Sequence, residues 1–403
     1  MLAQASPQGA PTPSPPAPQA ASAPLTFSAA LELAASRNLG LEAAKRQRAI
    51  RQAQVRIAGQ WANPEVSFET TQDSPHENLA FGYPLEIGGQ RGKRIAVAKE
   101  ELSLAELDVS AEMRTLRRNL RQAFYGLLAA DERVKLAGEV VDLVERTRQA
   151  AQARFEEGAA PRLEVLAADL SLARAQADAE RARSSRASAL ADLNAVLNQP
   201  PGQAVAITGD LGDAPPLPDF ARAMGLAAAS NGELLSAEHE AAIEGRRLDL
   251  LKAERIPTPT VTYGLPMNAP DEFTIGQSLG ISMTIPLFTR NRGEITQSHA
   301  TLDQLRAKRD AARRVVESQV FSTLARIDGQ RKQVESFRTK IIPAAAELAT
   351  LAEESYKMGR SQVLALFEAQ RALRDVRREY LEALLEFQAA LADLEEVIGA
   401  PIV

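Results

Sequence analysis

The chain has 403 residues, of which 45% are hydrophobic, 25% charged and only 4% aromatic, and its formal net charge is -5. It contains no cysteine, which excludes disulfides, thiolate-ligated metals and thiol nucleophiles. Three scattered histidines, His76, His239 and His299, leave little for a metalloenzyme site, and the acidic balance argues against a nucleic-acid partner. No run of 18 apolar residues occurs, so membrane contact would need amphipathic helices or a β-barrel.

In chain order, residues 1–26 are rich in proline and alanine and read as a disordered segment. The tripeptide Ala3-Gln4-Ala5 looks like the remnant of a signal cleavage site, but no basic or long apolar region precedes it. Two readings stand side by side: an exported mature form with no signal peptide in this sequence, and a plain unstructured leader. Residues 27–60 follow as a helix, capped by Thr26 or Ser28 and closed before Asn63-Pro64. Strands are expected at about 64–71 and 79–87, around a polar loop. A very long helix then carries a heptad seam, with Val109, Leu116, Ala123, Ala130, Ala137 and Val144 at one position. Met113, Leu120, Leu127, Val134 and Val141 hold the other. A shorter return helix at about 162–197 ends at Pro200-Pro201.

The same order then repeats. Phe27, Asn38 and Leu41 recur as Phe220, Asn231 and Leu234 at an offset of 193, and Phe155 and Gly158 recur as Tyr356 and Gly359 at an offset of 201. The chain therefore divides into repeat 1 (27–199), a linker at mid-height (200–219) and repeat 2 (220–403), with strands at about 258–266 and 275–287. The second long helix has a seam of Val320, Ile327, Val334, Ile341 and Leu348, which Pro343 should kink or split.

A helix over about 91–157 spans roughly 100 Å and its return only about 54 Å, so two half-length helices end to end match one long one. Alternation in Ile281-Ser282-Met283-Thr284-Ile285, with aromatics gathered near the strands, suits a membrane barrel. Four strands cannot close a barrel, and unpaired edges in lipid are costly. Three chains would give about twelve strands and twelve helices.

This organisation resembles the TolC family of outer-membrane efflux channels over residues 27–401. The resemblance rests on Pro286-Leu287-Phe288 with Arg292-Gly293, on Phe155 to Gly158 followed by Glu164, on Tyr356 to Gly359 followed by Glu368, and on Ile342-Pro343-Ala344. The first strand-to-helix turn, with Gly88, Gly89, Arg91 and Arg94, is similar to that of the CzcC-like branch serving heavy-metal resistance–nodulation–division (RND) pumps. The fold implied is mainly α with a small β part, a trimeric twelve-stranded outer-membrane β-barrel continued by a twelve-helix periplasmic α-barrel.

The resemblance implies a passive duct in the outer membrane with a long periplasmic extension. Its partners would be two further copies, outer-membrane lipid, a periplasmic adaptor and, through that adaptor, an inner-membrane RND transporter. The cargo would be divalent metal cations of the cobalt, zinc, cadmium and nickel class. No enzyme activity, cofactor or bound metal is expected. The alternatives are a multidrug or type I secretion channel of the same fold, and a soluble periplasmic coiled-coil scaffold.

Sites follow from position. The helix ends near Gly158 and Gly359 would converge on the axis as a gate, with Glu164 and Glu368 as charged rings and Tyr356, Arg360 and Ser361 beside them. Phe155/Gly158 and Tyr356/Gly359 would form docking grooves for the adaptor. Gly88 and Gly89 would supply positive φ to a tight turn. His239, His299 and carboxylate pairs such as Glu100-Glu101 read as solvated helix faces.

Overall fold

The computed structural model describes residues 24–270 and 272–402. The proline-rich segment at 1–23 lies outside the described residues. Its expected continuation to residue 26 is not disordered, because Leu25 bridges Ile207 in parallel, donating to the Ala206 carbonyl at 2.8 Å and accepting from Thr208 N–H at 3.0 Å.

The helix expected over residues 27–60 is two helices, α1 (Phe27–Arg37) and α2 (Leu39–Ala58). Asn38 separates them in an extended conformation, and its side chain accepts from the Leu41 N–H at 2.7 Å. Asparagine favours this N-cap role over a helix interior because its amide satisfies an orphan donor of the first turn. Asn231 does the same between α5 (Phe220–Ser230) and α6 (Gly232–Ala253), accepting from Leu234 N–H at 2.9 Å. The long α3 (Gln90–Glu156) runs unbroken for 67 residues and returns as α4 (Arg162–Val196).

The second long helix has a fault in it. α7 (Arg292–Ser336) passes through one π-helical turn, Phe337–Ile341, into α8 (Ile342–Lys357), before the return helix α9 (Val363–Ile398). Pro343 has no N–H to give to Thr339, and Ile342 N–H reaches back five residues to the Phe337 carbonyl. The extra residue moves the seam by one position. Val320 and Ile327 are buried, but Ile341 and Leu348 are 37% and 53% exposed, and Ala345 and Tyr356 face inward instead. The expected seam therefore fails below the π turn.

The helices form one layer. α3 packs on α2 toward the strands and on α4 toward the far tip, while α6 and α9 fill the space between α3 and α7. At mid-height sits the core, where Phe27, Phe124 and Tyr125 contact one another and Leu193, Leu197, Leu211 and Leu384 close around them. A second cluster, including Val316, Phe387, Leu391 and Ile398, adjoins it. Buried polar groups join the linker to these helices. Gln388 donates to the carbonyls of Leu211 and Asp213 at 2.9 and 2.8 Å. Glu395 accepts from Arg117 at 3.0 Å and from Arg121 at 3.4 Å.

The sheet is antiparallel, in the order β1 (Glu65–Thr70), β2 (Glu77–Pro84), β3 (Thr260–Ala269), with β4 (Phe273–Ile275) and β5 (Ser278–Ser282) both on β3. The expected bounds shift. β2 begins two residues early and stops three short of 87, and β3 starts at Thr260 and runs on to Ala269 through the expected loop. The strand expected over 275–287 is broken at Gly276-Gln277 and ends at Ser282.

The two asparagine caps separate local from tertiary stabilisation. Asn38→Ala loses one cap, worth about 1 kcal/mol. Asn231→Ala also loses a 2.7 Å bond to the Val397 carbonyl at the end of α9, and should cost about 2–3 kcal/mol. Thermal unfolding followed by circular dichroism at 222 nm should rank Asn231→Ala clearly below Asn38→Ala.

Candidate functional site

The helical tip brings some of the expected residues together and separates others. Gly158 and Gly359 end α3 and α8 with φ of 74° and 66°, and a Cβ built on either meets nothing within 4 Å. Glycine is required here by backbone conformation, not by crowding. The aromatics three residues earlier are not equivalent. Phe155 is 39% exposed, whereas Tyr356 is 1% exposed and packs with Val363 and Leu366.

Tyr356 is a strut. Its hydroxyl donates to Glu164 Oε2 at 3.3 Å, the Arg154 guanidinium lies 4.7 Å from its ring centroid, and Arg154 donates to its carbonyl at 3.3 Å. Burial foremost, and then the neighbouring Glu164 charge, pushes the phenol above its ordinary range, so it remains a donor. The pair joins the α3–α4 turn to the α8–α9 turn within one chain. Arg154 has Ser355 as its counterpart in the second repeat, so the clamp exists once per chain.

Glu164 and Glu368 stand apart. The offset of 201 pairs Glu164 with Ala365 and Glu368 with Ala167, so the two acids differ by three residues, about 4.5 Å along the axis. Glu368 is exposed and lines a groove of about 560 Å³ with Leu348, Leu351, Ser355 and Ser361. Arg360 is exposed, and its N–H bonds the Ser355 carbonyl at 2.9 Å. Neither Arg360 nor Ser361 joins the Tyr356–Glu164 clamp.

At the opposite end, the strand-to-helix turns lash four helix ends together. Gly89 has φ 71°, but Gly88 serves a different need: a Cβ there would sit 2.9 Å from the Ala253 carbonyl oxygen and from Ile256 Cβ. The expected positive φ at both glycines is thus corrected to one positive φ and one close approach. Arg91 donates to the Gly59 carbonyl at 2.6 Å and stacks 4.4 Å from the Trp61 ring. Arg94 chelates Glu86 through two bonds, at 2.5 and 3.1 Å. Gln90 donates to Ile256 O at 3.1 Å, and its counterpart Asn291, at φ 51°, donates to Leu251 O at 3.2 Å. Arg292 and Gly293 are exposed at the start of α7.

The sheet register sorts its residues by face. Val66, Phe81, Tyr263 and Leu279 stand in one row, with Phe68, Leu79 and Leu265 in the next but one. The rows between hold Glu65, Gly82, Thr262 and Gly280, then Ser67, Ala80, Gly264 and Ser278, then Glu69, Asn78 and Pro266. One face is apolar and open, with Val66, Phe68 and Leu279 at 63%, 61% and 75% exposure. The other is small and polar. The strand regions also lack fixed cations: no lysine or arginine occurs between Arg56 and Arg91 or between Arg255 and Arg290. Counting those letters in the sequence reveals this directly.

His239 is not a free surface residue. It sits on α6 with Nδ1 3.6 Å from Glu100 on α3, beside Arg246. No group of three or more potential metal ligands occurs among the described residues, and no helix there is long and apolar enough to cross a membrane.

Comparison with known proteins gives a consistent result. The family model described as outer membrane efflux protein matches residues 30–199 and 223–400. The cobalt-zinc-cadmium resistance protein CzcC of Cupriavidus metallidurans is 27% identical over 394 residues, 95% of this chain and 92% of that protein. The nickel-cobalt-cadmium resistance protein NccC of Alcaligenes xylosoxydans xylosoxydans is 28% identical over 303 residues, 68% of this chain and 67% of that one. Among solved structures, CusC superposes with a TM-score of 0.78 at 15% identity, covering 93% of this chain and 92% of its own. The outer membrane protein VceC of Vibrio cholerae gives 0.76 at 15% identity, covering 94% and 97%. These two likenesses establish the fold alone.

The clamp makes a prediction that separates hydrogen bonding from charge. Tyr356→Phe keeps the buried ring but loses the bond to Glu164, a change of about 1 kcal/mol at a half-exposed carboxylate. In planar bilayers the variant should open more often or conduct more. Glu164→Gln keeps an acceptor oxygen and should do less. Equal, unchanged conductance in both would remove the clamp from the gate.

Proposed function

Because the chain belongs to the outer membrane efflux protein family, matched across both repeats, we propose that it is the outer-membrane duct of a tripartite RND-type system exporting divalent heavy-metal cations. The printed names of both relatives concern cobalt and cadmium, with zinc for one and nickel for the other. Three chains would close the sheet and the helix layer, with an adaptor at the tip linking the duct to an inner-membrane pump. The chain does no chemistry in this role.

The observation that carries the cationic cargo is the polarity of the strand end. With the apolar face toward lipid, Glu65 and Glu69 of β1 face the pore. The strand regions offer no lysine or arginine to offset them. Fixed carboxylates without fixed cations raise the local concentration of cations and repel anions. The apolar face, open on every strand, also weighs against a soluble scaffold.

The tip residues complete the reading. Glu164 and Glu368 would form two acidic levels on the way in. Phe155, exposed beside Gly158, would be the docking aromatic, with the exposed turn at Gly359 as the second contact and Tyr356 as its internal support.

Two experiments test these assignments. Glu65→Gln with Glu69→Gln should move the reversal potential across a salt gradient toward zero, while a deletion strain carrying it tolerates less cobalt, zinc or cadmium. An unmoved reversal potential would dismiss the acidic strand face. Gly158→Trp and Gly359→Trp add bulk in open space but strain a left-handed turn. They should keep trimers yet lose cross-linking to the adaptor, whereas Gly158→Asn and Gly359→Asn, which tolerate that backbone without the bulk, should keep both. Retained cross-linking would dismiss docking at the turns.

A further inference from the structure

The level at which strands give way to helices carries a second charge pattern, opposite to that of the strands. Arg56 near the end of α2, Arg255 just past α6, and Arg290 and Arg292 at the start of α7 are all exposed. None of the four makes a salt bridge among the described residues, and only Arg290 is hydrogen-bonded through its side chain, by Nε to the Pro286 carbonyl at 3.1 Å. By contrast Lys93 and Arg94 are taken up by Asp249 and Glu86. Glu254 and Glu294 are the exposed acids nearby in sequence. The bonds from Arg91, Gln90 and Asn291 to neighbouring carbonyls hold these helix ends at one height.

The apolar face of the sheet runs straight into this level. Beyond β5, Met283, Ile285 and Leu287 continue the alternation of Leu279 and Ile281 at 52%, 63% and 65% exposure. Phe288 is 97% exposed, two residues before Arg290. A fully exposed phenylalanine next to unpaired guanidinium groups is a poor arrangement for water. It suits the boundary where acyl chains meet headgroups, where an aromatic sits among upper chain carbons and guanidinium groups meet phosphate oxygens.

We propose that this collar binds the phosphates of anionic phospholipid headgroups, with Arg290 and Arg292 as the principal contacts and Phe288 seated among the adjoining acyl carbons. The ligand is a lipid and not free phosphate, because the guanidinium groups continue an apolar lipid-facing surface. The proposal rests on the barrel reading above.

The test uses the full chain purified as trimers and exchanged through detergent containing equal phosphatidylglycerol and phosphatidylcholine, with retained lipid counted by mass spectrometry. The wild-type protein should retain phosphatidylglycerol over phosphatidylcholine by about fivefold or more, a preference weakened by salt. R290Q/R292Q should bring that ratio near one, and R290K/R292K should keep part of it. R306Q/R309Q, lower on the same exposed helix and already paired with Asp303 and Asp310, should leave it intact. Equal retention of both lipids by the wild type, or an unchanged ratio in R290Q/R292Q, overturns the proposal. So does loss of the preference on adding inorganic phosphate but not chloride at equal ionic strength. Reversal potentials measured on the same variants keep this outcome separate from the cation-duct reading.

Discussion

Backbone pairing at the edges of the sheet governs everything else in this chain. β1 and β5 each pair on one side only, and every residue of both is exposed. In water such edges invite aggregation, and in hydrocarbon each unpaired N–H or C=O costs several kcal/mol. The helix layer has the same incompleteness. α2 and α4 lie on one side of α3 with Ile50, Ile57, Leu163 and Leu170 exposed, while α7 and α8 leave Phe321, Leu348 and Leu351 uncovered. One copy is thus a sector of a wall. A closed ring of copies satisfies both edges with a single rotation, which is why strands and helices can share one symmetry.

Within the sector, the middle holds the ends in relation. The linker carbonyls of Leu211 and Asp213 are held by Gln388, and the Arg117–Glu395–Arg121 cluster ties α3 to α9. Buried charges of this kind add little net stability but are costly to separate, so they fix register. Below that level the two long helices differ. α3 is regular throughout, whereas the second carries a π turn that frees its lower part from the seam above. The Tyr356–Glu164 bond then links the weaker helix to the turn of the stiffer one. With the Arg154 contacts to Tyr356 and the bond from Gln370 to Thr147, it couples the two tips.

Much of this was legible in the letters. The α3 seam is realised in part: Leu116, Leu120, Leu127, Ala130 and Val144 are buried, while Val109, Ala123, Val134, Ala137 and Val141 are half-buried and Met113 is exposed. Its 67 residues without proline or a break keep one period. The second seam was not legible beyond Val334: Pro343 announced a defect, but only the geometry shows that one inserted residue in a π turn absorbs it. Asn38 and Asn231 read as interior helix residues because helical periodicity resumes at once on both sides. Phe155 and Tyr356 looked alike by spacing. The distinguishing signal lies across the repeats: Arg154, before Phe155, covers the Tyr356 ring of the other turn, whereas Ser355, before Tyr356, has no guanidinium with which to cover Phe155 in return. Strand bounds failed for a different reason. β3 continues through Pro266 and Asn268 because its partners, β2 on one side and β4 on the other, supply pairing that no local propensity encodes.

Separation of charge follows from the same two-faced construction. A duct for cations gains from carboxylates along its lumen, yet a barrel in an anionic leaflet gains from guanidinium groups around its outside. A wall one strand thick keeps these apart only if they also differ in height. Glu69 meets that condition, about 13 Å along β1 from its first residue Glu65, while Arg56, Arg255, Arg290 and Arg292 all fall beyond the strand ends. At physiological ionic strength fields decay over about 8 Å, so on the proposed orientation cations confined to the collar leave Glu69 largely uncompensated, and Glu65, at the collar end of the strand, less so. The absence of lysine and arginine between Arg56 and Arg91, and between Arg255 and Arg290, is therefore one arrangement with the clusters that bound those gaps. Moving a single arginine from the collar into a strand would alter both the lipid contact and the pore.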